Sequence, residues 1–409
     1  NDFILIVGPY FMALQDEIKA QWGTKNFLCF ASGKSSRTLA EFINKGWFFW
    51  EDDVGCWDSS VSPDLLELEV WLSERFGASP QILQLMQANN NTHGYTLHGI
   101  AYGVPGGRKS GDPFTSLFNS VLNGLLHTYI ICEHLKVDVK WCKDNLRMLV
   151  AGDDNAMCIN YPNDIPFVSQ MKKLGFNSEA LNRDSIHEVE FCSCRVYDMG
   201  SYVTFGPMPG KVLSKFGIMN SPPPGIPQER IIRGICLGLL PQVSFIPPIV
   251  SVLKHFLNIT SDVIAYANNQ TKEFIKQCDW HMKFKQHQEP TPGVWVDLQL
   301  QYGWTPALNA ELDKDLAKHT MGKIQSPALN YLCDRDTAAP SLGHNYTSVR
   351  RLMKYTTTIF MMCLVLSPAL GKEMQLEPNG ANNTYLQFYK LPYQEYINKT
   401  VTDVITTKM

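Results

Sequence analysis

Leu146-Arg147-Met148-Leu149-Val150-Ala151-Gly152-Asp153-Asp154-Asn155-Ala156-Met157-Cys158-Ile159 is the stretch that decides the fold. Two apolar arms, 146–151 and 156–159, flank a polar tip. Gly, Asp and Asn accept the unusual dihedrals of a tight turn, so the pattern predicts a β-hairpin. By itself Gly-Asp-Asp is an ordinary turn signal. Apolar strands that run into two carboxylates are less ordinary, because a buried strand should not end in acids unless they bind something.

Working outward, a second stretch has the same character. The aromatic run Trp47 to Trp50 reads as a buried strand and leads into Asp53, with Asp58 five residues further on. Between these two acidic sites lies Gly103 to Asn119. Its first part, Gly103 to Gly111, holds four glycines and a proline and is expected to be a loop. From Pro113 the pattern turns helical, with Leu117, Val121, Leu125 and Leu126 at one-turn steps. Ser110, Gly111, Thr115 and Asn119 stand at the loop–helix junction. Thr115 and Asn119 are four apart and share a face.

The bulk properties bound the reading. A chain of 409 residues is expected to hold two or three subdomains. A hydrophobic content of 44% and a charged content of 18% are those of a folded protein. The net charge of −3 runs against the usual basic balance of nucleic-acid binders, so basic residues would have to line a channel. The eleven cysteines contain no Cys-x-x-Cys and are expected as scattered thiols in a reducing compartment. No stretch reaches the roughly 18–20 apolar residues that span a bilayer. The longest run, Ile359 to Leu366, is expected as a buried helix or strand. The chain begins at Asn1 and is expected to be cut from something longer.

Other elements follow from periodicity and capping. Helices are expected over Leu14 to Trp22, Thr38 to Asn44 and Phe167 to Leu174, and after the Ser62-Pro63-Asp64 cap. A second hairpin is expected from Glu190 to Val196 and Tyr202 to Phe205. After Pro222-Pro223-Pro224 the chain reads as helical, and a domain boundary falls between Gly206 and Pro224. Ser32-Gly33-Lys34-Ser35 ends like a phosphate-binding loop, but that motif needs a glycine at position 28, which is Leu28.

Taken together, Asp53-x4-Asp58, Ser110-Gly111-x3-Thr115-x3-Asn119 and Gly152-Asp153-Asp154 resemble motifs A, B and C of the RNA-dependent RNA polymerases of positive-strand RNA viruses. Met171 to Phe176 and Phe191-Cys192-Ser193 are similar to motifs D and E. The Ser-Gly-Asp and Phe-Cys-Ser forms are similar to tombus-like and noda-like members. The resemblance covers roughly residues 1 to 220. It implies an α+β right-hand fold of fingers, palm and thumb, with an antiparallel palm sheet backed by helices and a mostly helical thumb. Residues 1–19 and 61–113 would be partial fingers, 20–60 and 114–206 palm, and 207–409 thumb with a C-terminal tail.

The chemistry implied is template-directed RNA synthesis from ribonucleoside triphosphates. It needs two magnesium ions, with manganese able to substitute, roughly 3.5–4 Å apart. Asp53, Asp153 and Asp154 would be the catalytic carboxylates and metal ligands. Asp58, Ser110, Gly111, Thr115 and Asn119 would select the ribose by its 2′-hydroxyl. Arg108, Lys109, Lys211 and Lys215 would contact template and nascent RNA. Arg183 stands where relatives often carry a lysine proton donor. Arginine hardly loses its proton, so Arg183 is assigned to pyrophosphate, or the donor is Lys172 or Lys173. The basic fingertip motif is not in this chain and is expected upstream, in the same protein or polyprotein. Residues 1–409 alone are therefore expected to polymerise poorly. The implied setting is the host cytoplasm, at membrane-associated replication complexes. A reverse transcriptase would be expected to carry a bulky residue in place of Asp58. A degenerate RNA-binding palm would have lost a metal carboxylate, and none is lost.

Overall fold

The structure, a computed structural model, describes residues 2–219, 221–267, 289–322 and 324–337. The expected element at Ile359 to Leu366 and the tail lie outside them. The described residues fall into two compact units, 2–32 with 42–184, and 33–41 with 185–337.

The first unit is built on a six-stranded sheet. Its strands are β1 (Leu28–Phe30), β2 (Phe48–Gly55), β5 (Leu146–Ala151), β6 (Asp154–Ile159), β7 (Asn177–Ser178) and β8 (Leu181–Arg183). Their order is β1-β5-β6-β2-β7, with β8 also on β2. The predicted hairpin is β5–β6, turning at Gly152-Asp153, where Gly152 takes a φ of 67° that favours glycine. All pairs are antiparallel except β1–β5, which is parallel. Helix α1 (Asp2–Gln21) runs further back than Leu14 and takes in the apolar stretch Phe3 to Val7, with Pro9 inside it. Helix α2 (Ser36–Ile43) falls mostly in the second unit, and the short α3 is Trp57–Ser60. Helix α4 (Pro63–Arg75) starts as expected, with Ser62 accepting from the Leu65 amide and Pro63 in the first turn. Helix α5 is Pro80–Ala88.

One expectation is corrected here. Gly103, Val104 and Pro105 are not loop but part of β4 (Ala101–Pro105), which pairs with β3 (Asn91–Tyr95) as an exposed two-stranded ribbon. Such an isolated edge tolerates glycine and proline that a central strand would not.

Helix α6 (Thr115–Leu135) packs on β5 and β6 and is buried on almost all sides, as a central helix should be. Gly124 allows this approach, since a Cβ there would sit 3.1 Å from Trp22 and 3.2 Å from Leu28. Helices α7 (Val139–Asn145) and α8 (Phe167–Lys173) complete the unit. One core joins Phe11, Trp22, Leu28, Trp50, Trp57, Phe118 and Phe176.

The second unit holds the hairpin β9 (Cys194–Asp198) and β10 (Val203–Pro207). It continues with α9 (Pro209–Leu213), α10 (Gln228–Val243), α11 (Pro247–Ile259) and the helices Pro292–Tyr302, Pro306–Leu316 and Pro327–Thr337. Its core gathers Tyr197, Phe245, Leu253, Leu298, Trp304 and Leu332. The division falls at Ser185, earlier than the sequence boundary, because this hairpin packs with the helices that follow it. The Asp297 carboxylate on Pro292–Tyr302 accepts from the Asp198 amide at 2.7 Å and lies 3.0 Å from His187 Nδ1. No helix among the described residues is long and apolar enough to cross a membrane.

Candidate active site

Three acidic residues stand at the end of the β5–β6 hairpin. Strand β2 runs beside β6 with Asp53 directly opposite Asp154. Asp153 occupies the turn that precedes Asp154. After an exposed Phe48, the strand is buried at Phe49, Trp50, Glu51 and Asp52 and surfaces again at Asp53. Asp153 and Asp154 are half-exposed. Directly opposed residues in an antiparallel pair have Cα atoms about 4.5–5.5 Å apart, and like charges there repel. A divalent cation relieves that repulsion. Among the described residues no three His, Cys, Asp or Glu side chains form a ready-made metal cage. The acidic side chains at this end of the sheet offer only hard oxygens. That suits magnesium, which keeps several waters and takes substrate phosphates as ligands rather than an all-protein shell.

A second cluster is built around Asp58. Cys56 adopts a left-handed conformation (φ 55°) that turns the chain from β2 into α3. Asp58 then accepts from the Ser110 hydroxyl and, at 2.8 Å, from the Asn119 amide on α6. The expected partners Asp58, Ser110 and Asn119 are thus in contact. Gly111 lies beside them with a φ of 108°. Thr115 is not part of this cluster: its hydroxyl donates to the Lys109 carbonyl at 2.9 Å and closes the loop.

Arg108 is the clearest correction. It is not a loop cation that meets template phosphate but a buried residue, 7% exposed. Its guanidinium donates to both oxygens of Glu69 on α4, and its Nε donates to Asn119 Oδ1 at 2.9 Å. Burial opposes the charge, and the adjacent Glu69 carboxylate outweighs burial, so Arg108 holds its proton more tightly than usual. Burial raises the Glu69 carboxyl, with Arg108 pulling it back down. With Asn119 Oδ1 engaged by Arg108, its amide N–H faces Asp58. Lys109 also differs from expectation. Its amine donates to the backbone and side-chain oxygens of Asn89 at 2.5 and 2.6 Å. Burial lowers its pKa.

The remaining cations are placed as follows. Arg183 on β8 is ion-paired with Glu51 at 2.5 Å. Lys172 and Lys173 are exposed in the last turn of α8. In the second unit, Lys211 is ion-paired with Glu190, and Lys215 follows α9. Burial, with Lys211 beside it, pushes the Lys215 amine down to about 8. Phe191 and Cys194 bridge across a tight turn in which Cys192 and Ser193 both take positive φ, 51° and 57°.

Sequence reasoning missed four residues that build the site: Asp52, Glu69, Asn123 and His127. All are buried. A usable signal was present for two of them. Asn119, Asn123 and His127 form a polar stripe at four-residue spacing on an otherwise apolar helix.

Residues 10–205 match the family model described as viral RNA-dependent RNA polymerase. That match takes in just under half of the chain. Among curated proteins, the chain is 30% identical over 114 residues to the genome polyprotein of Poliovirus type 1 (strain Mahoney), and 34% identical over 112 residues to that of Human rhinovirus 3. Those matches cover 28% and 27% of this chain and 5% of each polyprotein. These relatives are picornaviral.

Proposed function

We propose that this chain carries the catalytic centre of a viral RNA-directed RNA polymerase, copying an RNA template from ribonucleoside triphosphates. One observation carries the reading: Asp53 lies opposite Asp154 at a Gly-Asp-Asp turn, in the same unit as the Asp58–Ser110–Asn119 cluster. We read the unit around the sheet as palm with part of the fingers, and the helical residues from 207 onward as thumb. The tombus-like or noda-like placement rests on the Ser110-Gly111-Asp112 and Phe191-Cys192-Ser193 forms alone.

In this reading Asp53 and Asp153 would hold two magnesium ions, with Asp154 in support. When bound, the ions supply charge neutralisation for the attacking hydroxyl, the transferred phosphate and the leaving pyrophosphate. The remaining work is positioning. Asp58 can accept a hydrogen bond from a ribose 2′-hydroxyl, and Ser110 and Asn119 hold it for that role. Lys172 or Lys173, both exposed, is the proton donor, and Arg183 is a fixed cation for pyrophosphate. Lys211 and Lys215 would meet the nascent strand. The partners are RNA template, product and nucleotides. An upstream fingers segment of the same polyprotein and a membrane-associated replication complex in the host cytoplasm complete the proposal.

Two measurements test it. Asp53→Ala and Asp153→Ala should each abolish magnesium-dependent nucleotide incorporation while the circular dichroism spectrum is kept. Near-normal incorporation by either folded variant would end the reading. Asn119→Ala should reduce incorporation of ribonucleotides more than that of 2′-deoxynucleotides. An equal loss of both would make the Asp58 cluster structural rather than sugar-sensing.

A further inference from the structure

Asn123 lies one helical turn beyond Asn119 on α6 and is fully buried. Its side-chain amide nitrogen donates towards three consecutive carbonyls of the hairpin tip: Gly152 at 3.1 Å, Asp153 at 2.9 Å and Asp154 at 3.4 Å. Its Oδ1 accepts from the buried Asn155 amide at 2.8 Å. One turn earlier on the same face, Ser120 Oγ accepts from the Gly152 amide at 2.8 Å. The turn that carries Asp153 is therefore held by α6 through its backbone groups.

The same residue reaches the opposing strand. The Asn123 carbonyl lies 2.9 Å from His127 Nδ1, and a carbonyl only accepts, so Nδ1 donates. His127 Nε2 lies 2.9 Å from Asp52, the residue before Asp53. The Asp52 carboxylate also accepts from the Ser178 hydroxyl and the Glu179 amide on the far side of β2. Both sides of the carboxylate site are thus met by the same helix, at Asn123 and at His127. Carbonyls gathered around one side-chain NH2 group cannot spread without leaving buried polar groups unpaired.

We propose that Asn123 is a positioning residue, whose side chain holds the Gly152–Asp154 turn in the place the reaction needs. The inference deepens the polymerase reading and rests on it for its kinetic part, but the structural part stands by itself. The helix that presents Asn119 to Asp58 is also the helix that sets the turn. Contact at the sugar and alignment of the carboxylates are thereby joined over one helical turn.

The test uses the full chain. Asn123→Leu keeps the branched outline and removes the donor and the acceptor; Asn123→Ala is the second variant should leucine fail to fold. Hydrogen–deuterium exchange is measured on the metal-free protein over peptides spanning 150–156. Single-nucleotide incorporation on an RNA primer–template is measured against magnesium concentration. The expected result is exchange about tenfold faster or more across the turn, with helix 115–135 protected as before. Together with it, kcat should fall about tenfold or more while KM for the nucleotide stays within about threefold, and half-maximal rate should need more magnesium. Unchanged exchange across the turn overturns the inference whatever the activity does. Faster exchange with unchanged kcat also overturns it. If the parent chain incorporates no nucleotide even when extended upstream, and the exchange difference is present, the turn clamp is supported and the polymerase reading fails.

Discussion

At the scale of single residues, Arg108 shows how a sequence neighbourhood misleads. Placed in a glycine-rich loop next to Lys109, it reads as a solvated cation. The structure places it against Glu69 with side-chain exposures of 1% each. Removing one member of such a pair leaves the other as a buried, unpaired charge, at a cost of about 3–5 kcal/mol. Arg108→Ala should therefore lower stability by about that amount in urea unfolding, while a double replacement of Arg108 and Glu69 by leucine should lose less. Lys109→Ala, which leaves the Glu69 pair intact, should cost less than Arg108→Ala. Nothing in the local sequence announces the partner, since Glu69 lies thirty-nine positions away on an amphipathic helix where acids usually face water. Thr115 and Asn119 share a helical face, as their spacing requires. That face splits at its first turn, because Thr115 finds the Lys109 carbonyl before it can reach Asp58.

Among the elements, the β5–β6 hairpin was the most legible, since its apolar arms and Gly152 specify both strands and the turn. Strand β4 was the least legible: its Gly103 and Pro105 are loop residues by type, and only pairing with the distant β3 makes them strand. The segment after α9 carries a prediction of its own. Lys215 has its ammonium pKa lowered to about 8, by burial first and by Lys211 second. A lysine so shifted is charged below that value and increasingly neutral above it, and the depressed pKa means that folding is disfavoured while it stays charged. If Lys215 meets RNA phosphate, binding should weaken as pH rises through about 8, beyond any loss in a Lys215→Ala control. Lys215→Arg keeps its charge throughout and should flatten the profile. RNA-binding isotherms from pH 7 to pH 9 at fixed salt measure this, and parallel curves for the parent and the Lys215→Ala variant would remove Lys215 from the RNA contacts.

For the whole molecule, two separate cores imply two cooperative units. Trp57 is buried in the first core and Trp304 in the second. Replacing a buried Trp by alanine costs about 3–5 kcal/mol. Calorimetry should show two transitions, with Trp57→Ala lowering one and Trp304→Ala the other. A single transition that both variants shift equally would mean that the units unfold as one. The expected division after Gly206 followed composition, whereas contacts divide the described chain at Ser185. The difference is hairpin β9–β10, whose polar partner Asp297 lies about a hundred residues downstream and is invisible to local reading.

The sequence by itself determined the order of the three clusters, the hairpin that presents Asp153 and Asp154, and the proximity in type of Asp58, Ser110 and Asn119. Each of these depends on period, turn chemistry and residue type, which are local properties. Only the tertiary structure decided that Asp53 lies opposite Asp154, that Arg108 is buried on Glu69, and that Asn123 and the Asp52–His127 pair stand behind the carboxylates. Those facts depend on strand order and on which polar groups lose their water on packing. A buried polar group must then find its partner wherever in the chain the fold brings one.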